Sequence, residues 1–302
     1  MPRVVWIHAA RPKTLAAAVV PVGVGSALAA AVGQFGAFPA FVCLLFALLI
    51  QVGTNFANDY FDFVKGADTP ARVGPVRAVA SGQVSVAAMR RVTVAVFACA
   101  FCVGLLLIPY GGWGLLPLGI LCVLCGVAYT GGPFPFAYKG LGEVFVLLFF
   151  GIVATGGTFF VQAEGFPVVA GVPTLWAAAS AGTGVGCLAC TILVVNNLRD
   201  RFTDAPADKR TLAVRFGRGF SELEFVGLVV VAMVIPVGLA LVFAHAGPLL
   251  VWVLLPLYAR LFVRLRVADA PADWGRLLAG SAGTLMAYGA LLVVGLLWAS
   301  VA

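Results

Sequence analysis

The sequence predicts an all-α, polytopic membrane protein of nine transmembrane helices, and three observations carry that prediction. Hydrophobic residues make up 62% of the 302 and charged ones only 10%, with a mean hydropathy of +1.08. A soluble domain carries about 25% charged and about 45–50% apolar residues. So few charges cannot cover a water-facing surface, which excludes a soluble enzyme. Second, the apolar residues form runs long enough for spanning helices, which need roughly 20 residues each. The 36 Gly and 17 Pro are scattered among those runs, not gathered in the polar tracts of a disordered chain. Third, the basic residues sit in a few short gaps between the runs.

Taken in order, the runs cover about residues 14–34, 38–62, 87–108, 113–131, 140–162, 174–198, 222–244, 246–263 and 278–300, within a single domain spanning 1–302. The turn between the seventh and eighth is marked by Ala244, His245, Ala246, Gly247 and Pro248. The opening MPRVVWIHAARPKTL lacks an early apolar core followed by a small-residue cleavage site, so no signal peptide is expected. All 19 Lys and Arg residues fall before the first run or at the gaps after the even-numbered ones. Arg3, Arg11 and Lys13 come first; Lys65, Arg72, Arg77, Arg90 and Arg91 lie around the second gap. Lys139 follows the fourth run, and Arg199, Arg201, Lys209, Arg210, Arg215 and Arg218 the sixth. Arg260, Arg264, Arg266 and Arg276 close the eighth. The positive-inside rule then puts the N-terminus and these gaps in the cytoplasm and the C-terminus outside. The same placement explains the net charge of +7 by a lipid bilayer rather than by nucleic acid.

Six of the seven cysteines form CxxC pairs: Cys99/Cys102, Cys122/Cys125 and Cys187/Cys190. Each pair lies inside an apolar run without a His or acidic neighbour to complete a metal site, so packing between helices is the expected role. His8 and His245 are too few and too far apart for a bis-His haem pair. Glu143, near the start of the fifth run, is expected to cap that helix.

Two polar stretches interrupt the pattern, and their similarity suggests that the two halves of the chain are parallel copies. The first is NFANDYFDFVKGADTPARVGPVRAVASG, residues 55–82. At about 100° per residue, Asn55, Asn58, Asp59 and Asp62 share one helical face. The second is NNLRDRFTDAPADKRTLAVRFG, residues 196–217, in which Asn196, Asp200 and Asp204 also share a face. Carboxylates at the end of an apolar helix are costly unless they meet a partner or an aqueous cavity, which makes them functional candidates. Oxygen-only ligands suit a hard cation, and magnesium combines a few carboxylates with substrate phosphates. Lys65, Arg72 and Arg77 accompany the first stretch, and Lys209 and Arg210 the second. Acid for magnesium and base for phosphate oxygens together fit a diphosphate.

NDYFD with its following GAD, and NNLRDxxxD followed by KRTLAVRFG, resemble the paired Asp-rich motifs of the UbiA superfamily of intramembrane prenyltransferases. ARPKTL at 10–15, RAVASGQV at 77–84 and YTGGPFPFAYKGLGE at 129–143 are similar to its 1,4-dihydroxy-2-naphthoate polyprenyltransferase branch, from menaquinone synthesis. Two positions depart from the pattern: Gly66, followed by Asp68, stands where the broader superfamily has a third Asp, and Asp208 where the branch commonly has Gly. The resemblance implies a nine-helix UbiA-like bundle in a bacterial cytoplasmic membrane. It implies Mg2+ held by Asn58, Asp59, Asp62, Asn196, Asp200 and Asp204. Diphosphate would be bound by Arg11, Lys65, Arg72, Lys209 and Arg210, with Asp59, Asp62, Asp200, Asp204 and Lys209 as the catalytic group. Tyr129 and Tyr138 are candidates for stabilising an allylic cation. The implied substrates are a polyprenyl diphosphate and 1,4-dihydroxy-2-naphthoate. A related enzyme with another aromatic acceptor, and a cation-coupled transporter, are the competing classes. A transporter repeat has no need of bases beside both acidic clusters, and its copies would be inverted.

Overall fold

In the computed structural model, residues 2–68, 74, 77–169 and 171–298 are described. Ten principal helices form the protein: α1 (Pro2–Ala10), α2 (Ala16–Ala31), α3 (Ala37–Val64), α4 (Val86–Leu105), α5 (Leu115–Ala128), α6 (Gly142–Ala163), α7 (Thr174–Asp204), α8 (Leu212–Val242), α9 (Leu255–Val267) and α10 (Pro271–Leu297). The strand pair Val168–Val169 and Val172–Pro173, a small antiparallel hairpin, joins α6 to α7.

Among the described residues, seven helices are long and apolar enough to cross a membrane, and a bent pair formed by Val4–Thr14 and Ala16–Ala31 is an eighth candidate. The nine expected runs map onto these and α5, whose 14 residues extend about 21 Å, short of a hydrocarbon core of about 30 Å. The protein is a polytopic membrane protein. The first expected helix, 14–34, begins at a bend of 51° between Thr14 and Ala16 and continues unbroken as α2. Arg11, between α1 and the turn that leads into the bend, adopts a left-handed φ of 52°.

Several helices overrun the apolar segments that announce them. α7 continues to Asp204 and α8 begins at Leu212, ten residues before the expected start. α10 starts at Pro271 rather than 278. Hydropathy marks only the stretch that lipid requires to be apolar, while polar turns outside it stay helical when they are capped. Thr211 supplies such a cap, its side chain accepting from the Val214 N–H, and Pro271 occupies a first-turn position that needs no N–H donor. Gly217, at φ 75° and ψ −170°, kinks α8 between its polar first turns and its apolar body.

α7 is the central helix, with 78% of its most apolar window buried, against 22% for α4, which lies at the periphery. α6 approaches α7 closely: a Cβ on Gly151 would lie 2.5 Å from the Gly182 carbonyl oxygen and 2.8 Å from the Gly186 Cα. That contact falls in a π-helical stretch, Leu147–Val153. Small residues allow such backbone approach in membranes.

Candidate active site

The C-terminal turns of α3 carry the first acidic cluster, and its carboxylates are held by segments far along the chain. Asp59 accepts from the backbone N–H groups of Ala78 (3.1 Å) and Val79 (3.4 Å). Asp62 accepts from the Tyr138 hydroxyl at 2.8 Å and from Arg77 Nη2 at 3.3 Å. Arg77 also reaches Asp68, Nε to Oδ1, at 3.5 Å. Both aspartates are 1% exposed and Arg77 9%, so these charges are paired where water cannot screen them. Asn58 accepts from the Thr130 hydroxyl, and the Thr130 carbonyl accepts from Lys65 Nζ at 2.7 Å. Asn55 donates to the Ala10 carbonyl and the Thr14 hydroxyl, tying α3 to the bend before α2.

At the end of α7 the second cluster includes ion pairs between residues close in the chain. Asp200 forms a two-pronged ion pair with its chain neighbour Arg199, both bonds 2.7 Å. Asp204 pairs with Lys209 at 3.4 Å. Asp208 and Arg210 make an exposed pair at 2.8 Å, and the bond from Arg210 lowers the Asp208 carboxyl below the usual range.

Tyr138, in the short turn Phe136–Lys139, joins the clusters. Its hydroxyl is on Asp62, and its ring lies under Lys65 Nζ at 4.7 Å and Lys209 Nζ at 5.7 Å. Its carbonyl accepts from the Arg210 N–H at 3.0 Å. Burial, with the Asp62 charge adding, raises the tyrosine's pKa well above its ordinary value, so the hydroxyl stays a donor. Burial lowers the pKa of Lys65 below the usual lysine range; Asp62 draws it back up and Lys139 pushes it down.

The expected site residues thus gather at one end of the bundle. Asn58, Asp59, Asp62, Lys65 and Tyr138 interlock, and Asp200, Asp204 and Lys209 stand across Tyr138 from them. Arg11 lies within electrostatic reach of Asp59 and Tyr129. Asn196 is half-buried on α7 and Arg210 is exposed. Arg72 lies outside the described residues. Among the described residues, no three His, Cys, Asp or Glu side chains converge as a ready-made metal cage. Arg77, a base of the first stretch not counted among the diphosphate binders, also enters, as do Arg199, Thr130 and Asn197. Asn197 donates to Glu143 Oε1 at 2.8 Å, so Glu143 links α6 to α7 as well as standing in the first turn of α6. Arg199 was hidden by its position, since adjacent helical side chains do not ordinarily face each other.

An apolar cavity, about 1060 Å3 when the space at its open side is included, runs from Thr54 and Tyr129 past Cys122 and Phe149 to Leu107 and Leu115. Its lining is almost wholly apolar. Thr54 directly precedes Asn55, and the Tyr129 carbonyl accepts from the Ala137 N–H beside Tyr138, so one end of the cavity adjoins the acidic clusters. Gly142 leaves room for the Tyr129 hydroxyl, 3.0 Å from where a Cβ would stand.

The sequence matches the UbiA prenyltransferase family over residues 18–277. It is 37% identical over 230 residues, 76% of each chain, to a 1,4-dihydroxy-2-naphthoate octaprenyltransferase of Mycobacterium tuberculosis. It is 38% identical over 220 residues to the enzyme of the same name from Haemophilus influenzae, covering 70% of this chain and 69% of that one. A UbiA homolog from Archaeoglobus fulgidus, solved bound to DMAPP and Mg2+, shares the fold with a TM-score of 0.65 at 15% identity, over 96% of this chain and 99% of that one. With the family matched over most of its length and relatives more than a third identical over about three quarters of the chain, this chain belongs to the UbiA prenyltransferase family.

Proposed function

We infer that the protein transfers a polyprenyl group from an all-trans polyprenyl diphosphate to 1,4-dihydroxy-2-naphthoate, with loss of the carboxyl as carbon dioxide and release of diphosphate, in menaquinone biosynthesis. The observation that carries this inference is the junction of both acidic clusters through Tyr138 at one end of a long apolar cavity. Relatives sharing more than a third of their residues over the matched region carry the naphthoate prenyltransferase name.

The chemistry follows from what each part of the site can do. The cavity takes the apolar tail, leaving the diphosphate among the acidic and basic groups. Mg2+ suits the oxygen-only donors Asn58, Asp59, Asp62, Asn196, Asp200 and Asp204, because it completes its shell with diphosphate oxygens and water rather than demanding an all-protein cage. When bound, the ion would neutralise the diphosphate and stabilise it as a leaving group. Lys65, Lys209, Arg11, Arg210 and Arg72 would hold the remaining phosphate oxygens. The bond between prenyl C1 and the bridging oxygen breaks with its electron pair leaving on diphosphate. The face of Tyr138, already under two ammonium groups, and that of Tyr129 can stabilise the allylic cation without trapping it. The electron-rich naphthoate ring then forms the new carbon–carbon bond. We place this end of the bundle, with the N-terminus, on the cytoplasmic side, because all the basic gaps lie there by the positive-inside rule.

The test is to supply the purified protein with a polyprenyl diphosphate, 1,4-dihydroxy-2-naphthoate and Mg2+ and to measure prenylated naphthoquinol. Product is expected, and it should disappear with EDTA and return with added Mg2+. Prenylation of 4-hydroxybenzoate alone would overturn the acceptor, and solute flux without prenylation would overturn the enzyme.

A further inference from the structure

A second groove, of about 1110 Å3 including its open side, lies on the outer face of the bundle between α4 and α5. Its lining residues include Val94, Phe97, Phe101, Ile120 and Leu124, with Arg90 and Tyr60 at one end. Arg90 stands in the second turn of α4, at the end of the bundle where Asp59 binds the segment before that helix. Arg90 is exposed, unlike the buried Arg77 and Arg199 of the acidic site. The groove is thus separate from the cavity assigned to the prenyl tail. The Phe97 ring stands between them: a Cβ on Gly126, which lines the inner cavity, would lie 3.1 Å from it.

We propose that this groove seats an anionic phospholipid, with one acyl chain along α4 and its phosphate on Arg90. Two features select that occupant. From Arg90 to Phe101 the helix rises about 16 Å, close to half of a hydrocarbon core of about 30 Å; the groove therefore matches the depth of one leaflet. Among the described residues that line it, the charged group is a single cation, Arg90, at the outer end, where a lipid phosphate lies, with Tyr60 as an interfacial aromatic. A basic residue at the membrane surface favours an anionic lipid by about 1 kcal/mol, or roughly fivefold.

The experiment uses full-length protein carrying Val94→Trp, in bilayers of phosphatidylcholine with a fixed fraction of either brominated phosphatidylglycerol or brominated phosphatidylcholine. Quenching of the added tryptophan, taken as the difference from protein without it, should favour phosphatidylglycerol by roughly fivefold. Arg90→Gln should bring the two lipids to parity, Arg90→Lys should retain most of the preference, and Arg260→Gln should leave it unchanged. Equal quenching by both lipids in the parent would overturn the proposal, as would a preference that survives Arg90→Gln or the absence of quenching by either. Because the readout is lipid contact, it stands independently of whether prenyl transfer is observed.

Discussion

The two acidic clusters look like copies in the sequence, yet they are built differently. Those of α3 are held by residues remote in the chain: Asp59 by backbone amides at 78 and 79, Asp62 by Arg77 and Tyr138. Among the described residues, those of α7 have ion pairs within a few positions, Asp200 with Arg199 and Asp204 with Lys209. The remote contacts of the first cluster exist only once the segment after α3 has folded back over it, whereas the Asp200–Arg199 and Asp204–Lys209 pairs need only α7 and the turn that follows it. Repetition of a motif therefore reproduces the chemistry of the donors but not the way they are fixed.

The largest expected effect comes from Asp62, where remote contacts meet the diphosphate site. Asp62→Asn keeps the shape but removes the charge that Arg77 and a metal would share. It should lower turnover by roughly 100-fold or more, the scale of losing one preorganised electrostatic group. Near-normal turnover would show that the α3 cluster is not in the diphosphate site. Asp59 tests the difference between the clusters more directly. Asp59→Ala removes the acceptor for two amides, and charge-assisted bonds of this kind are worth about 2 kcal/mol. Opening of the 77–82 segment, and with it the initial rate of tryptic cleavage at Arg77, should rise roughly 30-fold. Asp204→Ala should leave that rate unchanged; an equal rise would mean that the clusters are not fixed separately.

Tyr138 is the connection, and Tyr138→Phe keeps its ring under both lysines while deleting the bond to Asp62. Turnover should fall about tenfold, at the lower end of what a hydrogen bond to a charged group contributes, with the protein still folded by thermal melting. An unchanged rate would reduce Tyr138 to packing.

These contrasts also show what the sequence made legible. Long apolar runs and the placement of basic residues identified the spanning segments and the end at which the acids gather, because bilayer thickness and membrane charge act on sequence directly. Helix ends were less visible: residues 212–221 and 271–277 are polar enough to resemble loops, and only their capping residues make them helical. Helical periodicity put Asp59 and Asp62 on one face, but not what each would bind. Tyr138 is drawn in by the turn at 136–139, and its partners come from α3 and from the segment after α7. Asn197 rather than Asn196 reaches Glu143, a distinction set by the rotation of α7 against α6, which no local pattern records.

The smallest expected effect distinguishes Lys65 from Tyr138 by pH. Burial disfavours the charged ammonium of Lys65 and so lowers its pKa, whereas burial and the Asp62 charge raise that of Tyr138. As pH rises, Lys65 therefore loses its proton first, at a pH below the usual lysine value, and a diphosphate site that uses its charge weakens there. The sign for stability is opposite. The unfolded chain holds the Lys65 proton more tightly, so this group's contribution to folding improves as pH climbs between its lowered pKa and the ordinary one. Activity should accordingly show an alkaline limb over a range in which thermal stability does not fall on account of this group. Lys65→Arg, whose charge persists at these pH values, should move the limb upward, while Tyr138→Phe should lower the plateau and leave the limb where it is. A limb that moves with Tyr138→Phe instead would assign the titration to the tyrosine and make the joint between the clusters, rather than the base above it, the pH-sensitive element.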